Sequence, residues 1–177
     1  SSGQIYFVAG PSWFESDGVF NLSENQLSID VWSHITVTYD GNAIRFYLNG
    51  QLDFENYVSD EFEDTQSGGF HIGQRGDGQY RFNGNIDEIN IWNQSLTQNE
   101  IQQYMNCPPT GNEEGLIGYW NFEEGSGTTA FDQSSNGNDG VINGATYSTD
   151  VPEQNCQTSE SGCIDDQACN FNENAVE

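Results

Sequence analysis

The chain has 177 residues, of which 28 are Asp or Glu and three are Arg, so its formal net charge is −25. Such a charge repels nucleic acids and anionic membranes, and it attracts cations, Ca²⁺ above all, because hard cations prefer carboxylate and carbonyl oxygens. The acidity equally fits a solubility adaptation to a salty exterior. Aromatic residues make up 13% and charged residues only 18% of the chain, a profile that suits a turn-rich β-sandwich with one core.

The first predicted elements are short strands at 5–9 and 18–22, separated by an aromatic loop. Residues 32–52 predict two consecutive β-hairpins, with turns at Asp40-Gly41 and Asn49-Gly50. Two-residue hairpin loops need positive φ, which Asn, Asp and Gly tolerate best.

Apolar and polar side chains alternate along these hairpin strands. One face carries Ile35, Val37 and, on the next strand, Phe46, whereas the opposite face carries Thr36 and Tyr47. Strict period two is typical of a sheet with one buried face and one wet face.

Further strands are predicted at 70–74 and 86–92, after an acidic loop with an edge strand at 54–69. A short helix follows, because Thr97 and Glu100 form a T-x-x-E capping box. The residues expected to pack this helix onto the sheet are Leu96, Ile101, Tyr104 and Met105.

Two sequence markers carry a family resemblance. Residues 32–52 resemble the pattern W-x-H-…-Y-D-G-…-Y-x-N-G, and residues 82–101 resemble F-x-G-x-I-D-E-…-I-W-…-L-…-E-I. Both patterns are found in laminin-G-like domains of the concanavalin A-like lectin/glucanase superfamily. The resemblance implies an all-β fold, an antiparallel two-sheet jelly-roll sandwich with one short helix and, here, a disulfide-rich C-terminal linker. It does not identify a function, because this fold hosts lectins, adhesion modules and enzymes.

Three regions follow from this comparison. Residues 1–106 are the sandwich, without the strands that usually open such domains, and residues 157–177 are a truncated, acidic linker repeat rich in Cys, Asn and Asp. Residues 107–156 form an extension that either completes the sandwich or starts a second copy. The first alternative is favoured, since the chain turns to Ser, Thr, Pro and Glu after Tyr147.

Four cysteines allow three connectivities. Cys107 and Cys156 bracket a self-contained segment and are expected to pair, which implies an oxidising compartment. Cys163 and Cys169 pair with each other or with a missing partner. We therefore expect a secreted or cell-surface protein, of which this chain is a fragment.

The family resemblance implies a Ca²⁺ site at Asp87, because the Asp of the I-D-E strand often binds structural calcium in related sandwiches. Asp87 has the strand parity of Ile89 and Ile91, so it is expected to face the apolar side, where a buried carboxylate needs a partner. The alternative is an Asp held by backbone amides.

A second calcium prediction concerns a D-x-S-x-N-G-N loop, whose oxygens stand at alternate positions as in the first half of an EF-hand. The candidate ligands are Asp132, Ser134, Asn136 and Asn138. Asn143 stands where an EF-hand has its bidentate Glu, and the alternative is an Asx-rich turn. A third candidate set includes Asp165 and Asp166, with a solvated linker as the alternative.

Ligand binding is expected on loops, where aromatic rings stack on sugars and polar groups bind hydroxyls. The candidate residues are Trp13, Phe14, Asp77, Tyr80, Arg81 and Asn83. No E-x-D-x-x-E strand of paired carboxylates occurs, so catalysis is not expected.

The sequence therefore predicts a non-catalytic binding or adhesion module of a secreted protein, stabilised by calcium. The alternatives are a carbohydrate-binding module of a polysaccharide-degrading enzyme and a passive spacer. The expected partners are a glycan or a cell-surface protein and neighbouring domains of the same polypeptide. Neither nucleic acid nor direct membrane insertion is expected.

Overall fold

The computed structural model describes residues 6–9, 19–22, 24–57, 69–74, 78 and 81–156. Within these residues the fold is mainly β, with antiparallel strand pairs and one helix. The elements are β1 (Tyr6–Ala9), β2 (Val19–Leu22), β3 (Ile35–Tyr39), β4 (Ala43–Leu48), β5 (Gln51–Tyr57), β6 (Ile89–Trp92), α1 (Gln98–Asn106), β7 (Leu116–Trp120), β8 (Thr129–Ala130) and β9 (Gly140–Val141). The strands pair as β1–β2, β3–β4–β5, β6–β7 and β8–β9.

The hairpin between β4 and β5 has the predicted turn. Asn49 and Gly50 have φ values of 50° and 71°, as a tight two-residue hairpin turn requires. The His34 amide donates to the Asn49 side-chain oxygen at 2.9 Å, and the Asn49 amide donates to the His34 carbonyl at 2.8 Å. A side chain at Gly50 would also collide with the helix, since its Cβ would lie 2.8 Å from Cγ of Gln102.

The connection between β3 and β4 is one residue longer than predicted, because β3 ends at Tyr39 and β4 begins at Ala43. The Asp40 carboxylate closes this connection by accepting hydrogen bonds from the backbone amides of Asn42 and Ala43. The Arg45 guanidinium binds Asp40 at 2.5 Å and Glu55 at 2.6 Å. The hydrogen bond from Arg45 lowers the pKa of the Asp40 carboxyl to about 2.

The prediction that this sheet has one buried face and one wet face is wrong in two respects. On β3 the apolar Ile35 and Val37 are exposed, and on β4 both faces are buried. Ile44 and Phe46 are fully buried on one face, and Tyr47 is only 6% exposed on the other. Helix α1 covers the second face, where Tyr47 packs with Leu96 and Ile101. An amphipathic helix thus replaces water on a face whose side chains look polar in sequence.

The predicted helix is present. Thr97 is its N-cap, and the capping box with Glu100 is complete, so free backbone donors of the first turn are satisfied. Tyr104 packs on Trp92 with ring centroids 4.9 Å apart, which fixes the helix against β6.

Two predicted strands differ in the structure. Residues 70–74 are irregular. Strand β6 begins at Ile89, later than predicted, because Glu88 has a φ of 53° and interrupts the extended backbone.

Strand β7, from the region after the helix, pairs antiparallel with β6, so that Ile89 lies opposite Trp120. A disulfide between Cys107 and Cys156 closes the same region, with a sequence separation of 49. The Asn155 amide also donates to the Asn106 carbonyl at 2.8 Å. Residues 157–177, with Cys163 and Cys169, lie outside the described residues.

Replacing both Cys107 and Cys156 by Ser should lower the free energy of unfolding by about 2–4 kcal/mol, because the bridge restricts the unfolded chain. Chemical denaturation followed by tryptophan fluorescence measures this change. Reductant should destabilise the wild type by a similar amount and leave the double variant unchanged. Equal stability of the oxidised wild type and the variant would contradict the prediction.

Candidate functional site

A cleft of about 1150 Å³ is lined by β6, β7 and the loops on either side of them. Its lining comes from Gly78 and from three stretches, which are 70–74, 81–91 and 117–151. The Phe82 amide donates to the Gly73 carbonyl at 2.7 Å, which links the first two stretches.

Exposed aromatic rings stand at this cleft. Phe70 is 65% exposed and stacks on the buried Trp120, with ring centroids 5.9 Å apart. Phe82 is 57% exposed. The indole of Trp120 donates to the Asn138 carbonyl at 3.1 Å. Phe70, which is held on Trp120, and the exposed Phe82 provide flat apolar surface in the cleft.

Arg81 also lines the cleft and is exposed. In the part of the chain that the structure describes, both ion pairs belong to Arg45. Arg81 therefore has no carboxylate partner among the described residues, and its guanidinium carries five N–H donors at the cleft. Its neighbour Asn83 is exposed next to the cleft.

Asp150 also lines the cleft, and hydrogen bonds hold its carboxylate in place. Its carboxylate accepts the indole N–H of Trp32 at 3.2 Å and the side-chain amide of Asn85 at 2.8 Å. These bonds hold the last cleft segment against the loop before β6.

Asp87 lines the cleft and is half-buried. Its strand parity with Ile89 does not hold, because the left-handed Glu88 separates it from β6. The Glu88 amide donates to Oδ1 of Asp87 at 3.0 Å. Burial raises the pKa of the Asp87 carboxyl, and the negative charge of Glu123 raises it further.

Glu88 is a half-buried carboxylate that no sequence motif singles out as a site residue. The Tyr119 hydroxyl donates to its Oε2 at 2.6 Å, and the side-chain amide of Gln154 donates to its Oε1. Burial raises the pKa of Glu88, although both hydrogen bonds oppose the shift. Its interruption of a predicted strand leaves no signal in the sequence, since non-glycine residues at positive φ have no fixed pattern.

The Asp132 loop is closed by its own hydrogen bonds. The Asp132 carboxylate accepts the amides of Tyr119, Ser134 and Asn138 at 2.8–2.9 Å, and the Ser134 hydroxyl at 2.9 Å. The amide groups of Asn136 and Asn138 donate to the carbonyls of β7, at Leu116 and Ile117. Burial would raise the pKa of Asp132, but the backbone amides outweigh it and lower the pKa.

The structure thus brings the four residues of this loop together, and Arg81, Asn83 and Asp87 around the cleft. Among the described residues, no three His, Cys, Asp or Glu side chains are grouped as a metal site, so calcium stays a prediction. Six further candidate residues lie outside the described ranges, namely Trp13, Phe14, Asp77, Tyr80, Asp165 and Asp166.

Asp132→Asn should lower the free energy of unfolding by about 1–3 kcal/mol at neutral pH, because an amide leaves a backbone donor without its acceptor. Asp139→Asn is the matched control. The Asp139 carboxylate accepts the Asp132 amide at 3.0 Å, and its loss should cost less than about 1 kcal/mol.

The effect of Asp132→Asn should depend on pH. A carboxyl whose pKa is lower in the folded protein stabilises it above the unfolded pKa, and this contribution is lost as the pH falls through the folded pKa. The difference in the free energy of unfolding between wild type and Asp132→Asn should therefore shrink once the pH falls below 3.8, the ordinary pKa of an aspartate. A difference that stays constant with pH would contradict this account.

Comparisons with known proteins agree with this architecture. The sequence profile of the laminin-G-like family, described as concanavalin A-like lectin/glucanases superfamily, matches residues 1–102. A crystal structure of a proposed carbohydrate binding protein from Bacteroides ovatus superposes with a TM-score of 0.65 and 24% identity, covering 76% of this chain and 41% of that one.

Two other relatives match less of the chain. The Danio rerio adhesion G-protein coupled receptor V1 is 24% identical over 117 residues, which are 62% of this chain but 2% of the receptor. An S-layer domain-containing protein from Clostridium thermocellum has 27% identity and a TM-score of 0.35, covering 48% of this chain and 44% of that one.

The chain thus spans a small part of the receptor and less than half of each solved structure. The profile match covers more than half of the chain and includes both sequence markers, from the hairpins to the helix. The chain therefore belongs to the laminin-G-like family of the concanavalin A-like lectin/glucanase superfamily.

Proposed function

We propose that the chain is a non-catalytic binding and adhesion module of an extracellular protein, with the cleft as its ligand surface. The observation that carries this proposal is the exposure of Phe70 and Phe82 beside Arg81 in one cleft. Solvent-exposed aromatic rings next to unpaired polar groups are typical of binding sites.

A glycan is the proposed ligand. The same ligand would fit the alternative function, a carbohydrate-binding module attached to a polysaccharide-degrading enzyme. Phe70 and Phe82 offer faces for the apolar side of a sugar ring, and Arg81 and Asn143 offer donors for its hydroxyls. The names of two relatives, an adhesion receptor and a proposed carbohydrate binding protein, are compatible with either setting. A cell-surface protein is the second proposed partner.

An extracellular location is supported by the Cys107–Cys156 disulfide, because such bonds persist in oxidising compartments. Within the described residues, no helix has the length and apolarity needed to cross a bilayer. We also propose that the described sheets form a two-sheet jelly roll, as in other members of the superfamily.

Calcium is the proposed structural ion, and Asp87 is its proposed ligand. The carboxyl of Asp87 has one hydrogen bond to a described residue, from Glu88 to Oδ1, so its other oxygen can face a cation. Burial and the nearby Glu123 charge disfavour its ionised form, and a divalent ion would reverse that effect. The remaining oxygen ligands would come from backbone carbonyls and side-chain amides.

Phe82→Ala should weaken glycan binding by about five- to tenfold, because a stacking ring contributes about 1 kcal/mol or more. A glycan array identifies the polysaccharide class, and titration calorimetry then measures the affinity. Phe131→Ala is the matched control, since Phe131 is 51% exposed and does not line the cleft.

Equal losses for the Phe82 and Phe131 variants would contradict the cleft as the binding surface. If the chain binds no glycan on the array and no cell surface, the result would favour a passive spacer.

Removing calcium with EDTA should lower the melting temperature. At free Ca²⁺ of about 100 times the dissociation constant, the ion adds about 2.7 kcal/mol of stability. Asp87→Asn should abolish this response, whereas Asp132→Asn should retain it, because hydrogen bonds already occupy the Asp132 carboxylate. A calcium response lost only in the Asp132 variant would assign the ion to the other loop.

A further inference from the structure

The chain contains four Asn-Gly pairs, at Asn49, Asn83, Asn136 and Asn143. In such a pair the backbone nitrogen of the glycine can attack the side-chain carbonyl carbon of the asparagine. Glycine allows this approach because it has no Cβ to obstruct it. The four pairs share one local chemistry, so differences in their reactivity must come from the fold.

Hydrogen bonds restrain two of the asparagine side chains. Oδ1 of Asn49 accepts the His34 amide at 2.9 Å within the hairpin turn. Nδ2 of Asn136 donates to the Leu116 carbonyl at 3.0 Å and to the Ser134 hydroxyl at 3.3 Å. Both side chains must break these bonds before they can turn toward the following amide.

Asn83 and Asn143 are exposed and make no hydrogen bond to another described residue. Their glycines differ, however. The ring of Phe82 lies against Gly84, where a Cβ would meet it at 2.8 Å, whereas nothing lies within 4 Å of the corresponding point at Gly144. Asn143 therefore combines a side chain as unrestrained as that of Asn83 with a less obstructed glycine.

We propose that Asn143 is a site of spontaneous deamidation at the cleft. The Gly144 nitrogen loses its proton to water or hydroxide and bonds to Cγ of Asn143, and the bond from Cγ to Nδ2 breaks with release of ammonia. Water then opens the resulting succinimide at either carbonyl, which leaves aspartate or isoaspartate. The net reaction converts asparagine and water into aspartate or isoaspartate and ammonia, and it needs no oxidant or cofactor.

Asn143 and Gly144 both line the cleft, so the reaction places a new carboxylate there. The neutral donor that faces a ligand becomes an acceptor with a negative charge, on the same surface as Asp139 and Asp150. The chemical step is independent of the proposed function. Its effect on ligand binding rests on that function, and the Asn143→Asp variant reproduces the new charge of the aspartate product.

The test is timed incubation of the whole folded chain at mildly alkaline pH, followed by peptide mapping with mass spectrometry and isoaspartate detection. Asn143 should react first and Asn83 more slowly. Each hydrogen bond to be broken slows the reaction about fivefold, so Asn49 should lag Asn143 by about fivefold and Asn136 by about 25-fold.

Two controls distinguish the effect of the fold on the deamidation rate from the effect of the local sequence. Asn143→Gln should show no product at this position on the same timescale, because its longer side chain must close a larger ring. The reduced and denatured chain should show similar rates at all four pairs. Reaction of Asn49 or Asn136 as fast as Asn143 in the folded chain, or the same order of rates after denaturation, would overturn the proposal.

Discussion

The antiparallel pairing of β6 with β7 is the interaction on which the candidate site depends. It joins a strand that precedes helix α1 to one that follows it, so loops distant in sequence meet at one cleft. This pairing brings the lining from 70–74 and 81–91 and the lining from 117–151 to the same cleft. The disulfide and the bonds to Asp150 then hold the returning chain in place.

The acidity of the chain is accommodated in several ways. Exposed carboxylates such as Asp40 bind Arg45 or cap a turn. Asp132 is surrounded by backbone amides, whose hydrogen bonds favour its ionised form. Glu88 and Asp87 are the contrasting case, because burial raises the pKa of both carboxyls. This difference is why Asp87 rather than Asp132 is the better proposed position for a cation.

Helix α1 explains why sequence periodicity misled at one sheet. The alternation in β4 correctly indicates a strand, and Phe46 is buried as predicted. Whether the opposite face meets water depends on an element about fifty residues away, and Leu96 and Ile101 cover Tyr47 there. Alternation reports the polarity of side chains, and it carries no information on what packs above them.

The sequence by itself determined the family, the hairpin turn at Asn49, the capping box at Thr97 and the mainly β architecture. These features depend on local backbone preferences and on residue spacing, which a single chain displays directly. Only the tertiary structure decided that Phe70, Phe82 and Arg81 share a cleft, that Glu88 interrupts its strand, and that Asn143 is unrestrained where Asn136 is held. Those outcomes depend on contacts between segments far apart in the chain, and no local pattern encodes such contacts.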